Sequence, residues 1–551
     1  MTEEILIQTD CAVIGAGLSG CAAALELAKA GKKVNLFVKG KLIGEGNSYL
    51  LAGGLTAVPY YNIKNNTDSF ELHIKDTLEA GKHLNDESIV RYCAEKFYPE
   101  VIEWLAEKGV NFDQSKGNYD LHREGGHSKN RIFHVKDTTG KSIMEVLANL
   151  VNENKNITVH EDHIVVDLIT KKKLNISGDD SCLGLYVYDI NNDTVKTVKS
   201  NGTFVCTGGI GKVFLYTSNS DVATADGFAM CYRRGLPLAN MEFIQFHPTV
   251  FYDITAAQEN ERRFLLTEAL RGAGAFLKTS KDSTEDFVLR YDSAGSKATR
   301  DVVSRAEDAE MRSLGLTHLW LDCTKIPEKK LKNDFKNSYD FCLSKGYDLT
   351  KDPVPVVYAE HYSNGGVLVG KNSETDIRGL YVAGETSYTG LHGATRLASN
   401  SGPECILFAR LAAYHFLKID NSENHEIPLW DPGRAAKSKD KITVSYYWEM
   451  IRRTMNSLCG MVRNEQRLTA ALKIILELNR NIDNYYWSYK INKDFLEVRN
   501  IADTAEVILR GALARKESRA CHYREDFPET KEDFKGITIV EKGKEVKIIK
   551  C

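Results

Sequence analysis

The chain has 551 residues, 42% of them hydrophobic and 27% charged, with a formal net charge of -3. That balance gives no general basis for binding nucleic acid or a membrane surface, and the length suits a soluble globular protein of two to four domains. Twelve cysteines are scattered without a C-x-x-C pair, which argues against a zinc knuckle or an iron–sulfur cluster in this chain, leaves no metal expected, and fits reduced thiols of a cytoplasmic protein.

The first element is a short β-rich run from Asp10 that feeds Gly15-x-Gly17-x-x-Gly20, followed by an alanine-rich helix pattern to Gly31 and a strand pattern over 34–38. This is a βαβ unit with its glycine turn at the strand-to-helix junction, where bare amides and a helix N-terminus receive a dinucleotide pyrophosphate. The second strand ends in Val38-Lys39-Gly40 rather than in the ribose-binding acid of the NAD fingerprint, so the standard NAD fingerprint is incomplete, and the later motifs point to FAD. The apolar run 11–30 is broken by Glu26, Lys29 and the glycine turn, and nothing else approaches the ~18 apolar residues of a membrane-spanning helix.

Further along, 70–81 and 88–109 read as amphipathic helices, and 156–168 and 184–198 as strands of a meander. The segment 202–209 is a strand ending in Thr207-Gly208-Gly209, and 378–385 a similar strand ending in Gly384-Glu385. Paired glycines at strand ends suit close approach of backbone to a ligand. The charged region between them reads as an inserted domain. After residue ~430 the pattern turns helical over 445–458, 464–479 and 495–518, and the tail 536–551 reads as a peripheral strand.

Eight side chains stand out chemically. Glu124 sits in His122-Arg-Glu-Gly-Gly-His127, and His247 in Gln245-Phe-His-Pro-Thr249. Thr267, Glu268 and Arg271 share a helix-like segment, with Glu268 and Arg271 on one side at i,i+3. Arg300 precedes Asp301, His361 opens His-Tyr-Ser-Asn-Gly-Gly366, and Arg396 lies between Gly390 and Ser401. Taken singly, each has an ordinary structural reading: a hydrogen-bonded histidine, a solvated ion pair, a tight turn. Together, two arginines and two histidines with nearby hydroxyls suit a dicarboxylate, because arginine grips carboxylate in bidentate fashion.

With these residues, the motifs Gly44-Glu-Gly46, Ala52-Gly-Gly54 and Ala225-Asp-Gly227 complete a pattern that resembles the flavoprotein family of succinate dehydrogenase, fumarate reductase and L-aspartate oxidase. The resemblance runs from Asp10 through Pro528. The segment Leu121–Ser128 with Arg131, His134 and 137–140, together with 264–271 and 388–393, is most similar to the aspartate-oxidising branch. There a carboxylate at Glu124 would face a substrate ammonium; the succinate and fumarate enzymes are apolar at that position.

The resemblance implies an α/β fold: a discontinuous Rossmann-like FAD-binding domain (1–245 and 356–425), an inserted α+β capping domain (246–355) and a C-terminal helical domain (426–551). It implies FAD at Gly15, Gly17, Ser19, Gly20, Lys39, Ser48, Gly53, Gly54, Thr207, Gly208, Gly209, Asp226, Glu385, Ser399 and Ser401. Asn47 stands where membrane-complex members carry their flavin-linking histidine, so the FAD should be non-covalent. Glu124, His247, Thr267, His361 and Arg396 would bind substrate, with Arg300, Glu268 and Arg271 as a proton relay. The implied reaction is oxidation of L-aspartate to iminoaspartate, the entry to quinolinate and NAD synthesis, with reoxidation by oxygen or fumarate. A soluble fumarate reductase or succinate dehydrogenase subunit is the alternative. A non-catalytic flavin-binding protein is a third class, against which the full polar set argues. The expected partner is a small dicarboxylate or amino-dicarboxylate, and an iron–sulfur subunit or quinolinate synthase stays open. Ala52, Ala273, Thr395 and Gly402-Pro403 depart from the family pattern.

Overall fold

The computed structural model describes residues 5–254, 262–419, 425–438, 440 and 442–550; Cys551, at the end of the expected tail strand, lies outside them. Strand β1 (Leu6–Ile14) buries all four side chains of its second half, as a central parallel strand with both faces covered requires. Helix α1 (Leu18–Lys29) is buried along nearly its whole length, its alanines allowing close approach to the sheet. Strand β2 (Val34–Phe37) pairs parallel with β1. Helix α2 (Phe70–Ala80) starts at Ser69, whose side chain accepts from Leu72 N. Strands β3 (Ile157–His160), β4 (His163–Thr170), β5 (Cys182–Asp189) and β6 (Thr194–Val205) complete an order β3-β2-β1-β6-β5-β4.

Three expected elements are divided differently. The strand 156–168 breaks at Asp162, which takes a left-handed φ of 57°. The strand 184–198 is a hairpin: Asp189 accepts from Asn191 N and Asn192 N, and Asp193 turns the chain at φ 52°. Its second arm, β6, runs on through the expected strand at 202. The helix expected over 88–109 is α-helical over Glu87–Phe97 and Glu103–Glu107, with a π turn at Tyr98–Ile102 between them. Pro99 lies in that turn and has no N–H to give to the helical ladder.

A second, antiparallel sheet holds β7 (Ile244–Phe251), β8 (Phe276–Lys278), β9 (Leu319–Asp322) and β10 (Val354–Ser363) in the order β7-β10-β9-β8. The short helix α3 (Ala269–Gly272) and the longer α4 (Arg300–Leu314) pack on it through Leu270, Val303 and Ala306. The chain then returns to the first sheet: β11 (Leu380–Val382) pairs parallel with β6, and α5 (Ser401–Lys418) lies on α1.

Helices Ile442–Leu458, Glu465–Ser488 and Lys493–Ala514 follow. Asn464 and Asn492 cap the last two by accepting from Arg467 N and Phe495 N. The tail forms a hairpin, Gly536–Val540 with Lys547–Lys550, attached to Leu238–Ala239. Among the described residues, no helix is long and apolar enough to cross a membrane.

Candidate active site

The glycine turn at the end of β1 is forced by contact. Gly15 has φ 94°, and a Cβ there would lie 2.2 Å from the Cys206 carbonyl oxygen; one on Gly20 would lie 1.8 Å from the Gly15 carbonyl. The Leu18 amide donates to Ser48 Oγ at 3.0 Å, and the first turn of α1 carries no acid, so the helix N-terminus can face an anion. From this turn a cavity of about 1360 Å³ runs to the junction with the second sheet.

Its walls gather nearly every residue expected at a site. The exceptions are Gly20 and Gly54, which lie behind the wall rather than on it. Gly20 packs under the Gly15 carbonyl, and a Cβ on Gly54 would lie 2.3 Å from the Phe133 carbonyl, so both serve backbone packing. At the dinucleotide end Lys39 Nζ lies 2.9 Å from Asp226 and 3.1 Å from Glu497. Two residues expected at the cofactor therefore neutralise each other in its wall. Burial would raise the Asp226 carboxyl, but Lys39 holds it low. Gly208 takes φ 74°. A Cβ on Gly209 would lie 2.4 Å from Glu385 Oε1, and Thr207 Oγ accepts from Gly227 N at 3.0 Å. Burial pushes the Glu385 carboxyl up to about 7, while Ser363 N donates to it at 3.1 Å. Asn47 bonds Asn219 and accepts from Ser220 N at 2.8 Å.

At the other end two guanidiniums meet on one amide. Arg396 Nη2 donates to Gln245 Oε1 at 3.1 Å, and Arg300 Nη1 reaches the same oxygen at 3.5 Å. Arg396 Nη1 donates to Ser401 Oγ at 2.7 Å, and its guanidinium lies 4.3 Å over the Tyr362 ring; its Nε is buried without a hydrogen-bond partner. Arg300 Nε donates to Glu268 Oε2 at 2.5 Å, and Glu268 Oε1 lies 3.4 Å from Arg271 Nη2. Arg271 is fixed by Nη1 donation to the Ser296 carbonyl at 2.6 Å. Arg300, Glu268 and Arg271 thus form a continuous chain from the cavity into the second sheet's core. Against the upward push of burial, the two arginines hold Glu268 below its usual range.

His247 and His361 stand 5.5 Å apart, ring to ring. His247 Nδ1 accepts from Thr249 N at 3.3 Å, which leaves the proton of the neutral ring on Nε2. His361 Nδ1 meets Ser218 Oγ at 2.7 Å. Burial, and then the nearby arginines, push both rings far below their ordinary titration range. Both are neutral at physiological pH, and His247 presents an Nε2–H donor. Thr267 lines the same wall, its hydroxyl accepting from Ala269 N at 3.3 Å.

Glu124 faces this group from a loop. Its Oε2 accepts from Ser399 Oγ at 2.6 Å, and His122 Nε2 lies 3.6 Å from Oε1. Gly53 leaves room for it: a Cβ there would lie 2.5 Å from Glu124 Oε1. Burial works to raise the carboxyl, but His122, Ser399 and Arg300 hold it below the usual value, so it is ionised. Ser399 and Ser401, expected at the cofactor, hydrogen-bond Glu124 and Arg396, and so belong to both ends of the cavity. Of the departures, Thr395 accepts from Gln245 Nε2 at 3.0 Å and holds the amide that joins the two arginines. Gly402 lets the start of α5 pack closely on Leu55, whose Cδ2 would lie 2.2 Å from a Cβ there.

Gln245 and Tyr362 touch the arginines of the cleft, and sequence reasoning did not single them out. The signal for Gln245 was its place two residues before His247 on one strand, a spacing that puts side chains on one face.

A cradle with its glycines forced by contact, opening on a cluster of arginines, neutral histidines and carboxylates, defines a flavin-dependent oxidoreductase. Residues 10–401 match the FAD binding domain, and residues 448–550 the fumarate reductase flavoprotein C-terminal domain. The chain is 41% identical to the L-aspartate oxidase of Acinetobacter baylyi, covering 98% of this chain and 97% of that one, and 40% identical to the L-aspartate oxidase of Pseudomonas aeruginosa, covering 95% and 96%. Among solved structures it is similar to E. coli quinol fumarate reductase FrdA, with a TM-score of 0.86 at 25% identity over 99% of this chain and 97% of that one. The chain belongs to the L-aspartate oxidase family, within the succinate dehydrogenase and fumarate reductase flavoproteins.

Proposed function

We propose that the protein oxidises L-aspartate to iminoaspartate, feeding NAD biosynthesis, and that oxygen or fumarate takes the electrons. The observation that carries this reading is the ionised Glu124 carboxylate in the same cleft as Arg396, Arg300 and two neutral histidines. The cations match a dicarboxylate, and the carboxylate matches the one positive group of aspartate. FAD fits the cavity at its glycine turn, where Gly15, Gly17, Ser19 and Ser48 would hold the pyrophosphate, and at Thr207–Gly209 and Glu385. When bound, it supplies the acceptor for the hydride from the substrate α-carbon.

The protein's own residues do the rest. Arg396, His247 and His361 hold the carboxylates, His247 through the Nε2–H of a ring that stays neutral. Thr267 adds a hydroxyl. Glu124 holds the ammonium and orients the α-carbon. Arg300 moves the substrate proton, with the Glu268 carboxylate 2.5 Å behind its Nε and Arg271 beyond. Asn47, spent on Asn219 and Ser220, supports a non-covalent flavin. The eleven described cysteines are free thiols, which supports a cytoplasmic, reducing setting.

The test is turnover of L-aspartate, D-aspartate and succinate in air, following hydrogen peroxide and the ammonia and oxaloacetate released when the imine hydrolyses. L-aspartate alone should yield all three products. Turnover of succinate with none of L-aspartate would transfer the protein to the fumarate reductase reading.

A further inference from the structure

The motif Glu124-Gly-Gly-His127-Ser128 with Arg131 is more heavily anchored than a surface turn needs. Arg131 is fully buried. It donates through Nε and Nη2 to both oxygens of Asp68 at 2.8 Å, and through Nη1 to Asp76 at 2.6 Å. Asp76, on α2, also accepts from Ser128 N and Ser128 Oγ, each at 2.8 Å. Two buried carboxylates thus hold one buried guanidinium, with nearly all its donors satisfied within the protein, and they hold the far end of the loop.

His127 sits between this clamp and the active cleft. Its Nδ1 lies 3.5 Å from Arg131 Nη1, a donor, so the ring proton is on Nε2, which donates to the Ala398 carbonyl at 2.8 Å. Ala398 precedes Ser399, a non-glycine residue at φ 59°, and Ser399 Oγ donates to Glu124 at 2.6 Å. The next residue, Asn400, is tied back to α2: its Oδ1 meets His73 Nε2 at 2.9 Å and its Nδ2 donates to Thr77 Oγ at 3.1 Å. Gly126 lets the loop approach Leu397, since a Cβ there would lie 2.6 Å from Leu397 Cδ1. A closed ring therefore runs from Glu124 through the loop to His127, across to Ala398, and back through Ser399 to Glu124. Helix α2 braces both sides of it.

We infer that His127 is a positioning residue for substrate choice: its bond to Ala398 locks the Glu124 loop to the Ser399 turn and holds the carboxylate where an amino-dicarboxylate presents its ammonium. The inference rests on the proposed role of Glu124. It touches neither the gripping arginines nor the proton chain, so its effect should be confined to substrates that carry an amine. A buried, neutral donor suits this task, because it gives a fixed hydrogen bond that does not titrate near neutral pH.

The experiment is a double-mutant cycle on holoenzyme. His127→Leu should lower kcat/KM for L-aspartate by about tenfold, leave fumarate reduction within about threefold, and keep the flavin spectrum. His127→Gln, whose amide can reach the Ala398 carbonyl, should restore most of the loss. In the Glu124→Gln background, His127→Leu should cost aspartate oxidation almost nothing more, because the carboxylate it positions is gone. If the leucine variant does not fold, His127→Asn, too short to reach Ala398, serves in its place. Equal losses on aspartate and fumarate, or losses that simply add with Glu124→Gln, would overturn the inference alone. A wild type inert toward aspartate would overturn the functional reading and the inference together.

Discussion

Glu124→Gln isolates the one charge that separates an amino acid from a plain dicarboxylate. The side chain is half-buried and bonded to Ser399 Oγ at 2.6 Å. Glutamine keeps this shape, since its carbonyl oxygen can still accept from Ser399, so what is lost is charge. A charge-assisted hydrogen bond contributes about 1.5–3 kcal/mol net of its desolvation. Loss of that amount lowers kcat/KM for L-aspartate by roughly 10- to 150-fold. Fumarate carries no ammonium, and removing a negative charge beside its carboxylates should leave its reduction unchanged or improved. The assay is the ratio of the two specificity constants, aspartate oxidation in air and fumarate reduction by a reduced dye, for wild type and variant. A parallel fall in both would refute the reasoning and make Glu124 a structural residue of its loop.

Three further outcomes are expected. Arg300→Lys keeps the charge but loses the forked contact to Glu268 and Gln245, and should lower turnover by at least ~10³-fold, about 4 kcal/mol, with FAD retained; a variant within tenfold of wild type would make Arg300 only a structural ion-pair partner. Acid precipitation should release all flavin to the supernatant, whereas flavin left in the pellet would contradict non-covalent binding. Glu360 is fully buried, with one oxygen accepting from Thr217 Oγ at 2.7 Å, and burial and then Glu385 push its carboxyl from 4.5 up to about 8. Its folded value lies above its unfolded one, so ionisation opposes folding, and stability is lost as pH rises from 4.5 through about 8. Glu360→Gln should therefore raise Tm at high pH and change it little at pH ~5; an equal shift at both would contradict the assignment.

The parts of this protein most legible in its sequence are those where local geometry is forced. The glycine turn after β1 could be read because Gly15 and Gly20 have no room for a side chain. The helices after residue 442 could be read from their period, and the starts that Asn464 and Asn492 cap lie close to the expected ones; the far ends differ, at Ser488 rather than 479 and at Ala514 rather than 518. The 184–198 hairpin turns through Asn191, Asn192 and Asp193, turn-forming residues that the expected single strand runs straight across. At the site, Arg300, Glu268, Arg271, His247, His361 and Arg396 stood out by residue type, but their meeting in one cleft was not legible in spacing, since residues that touch there, such as Glu124 and Ser399, lie as far as 275 positions apart in the chain.

The bridge that Gln245 makes between the two guanidiniums is a tertiary fact: it depends on β7 and the turn before α5 meeting across the cleft, and no spacing in the chain encodes that meeting. Lys39 and Asp226 show the converse. Each was expected at the cofactor from the family pattern, and the structure spends the charge of each largely on the other.

The central claim is that this cleft takes electrons from L-aspartate. The most direct measurement is the flavin absorbance of the purified holoenzyme mixed anaerobically with L-aspartate, and separately with succinate. The account predicts that L-aspartate bleaches the flavin rapidly and fully, and that succinate bleaches it slowly or not at all. Rapid bleaching by succinate with none by L-aspartate would contradict it.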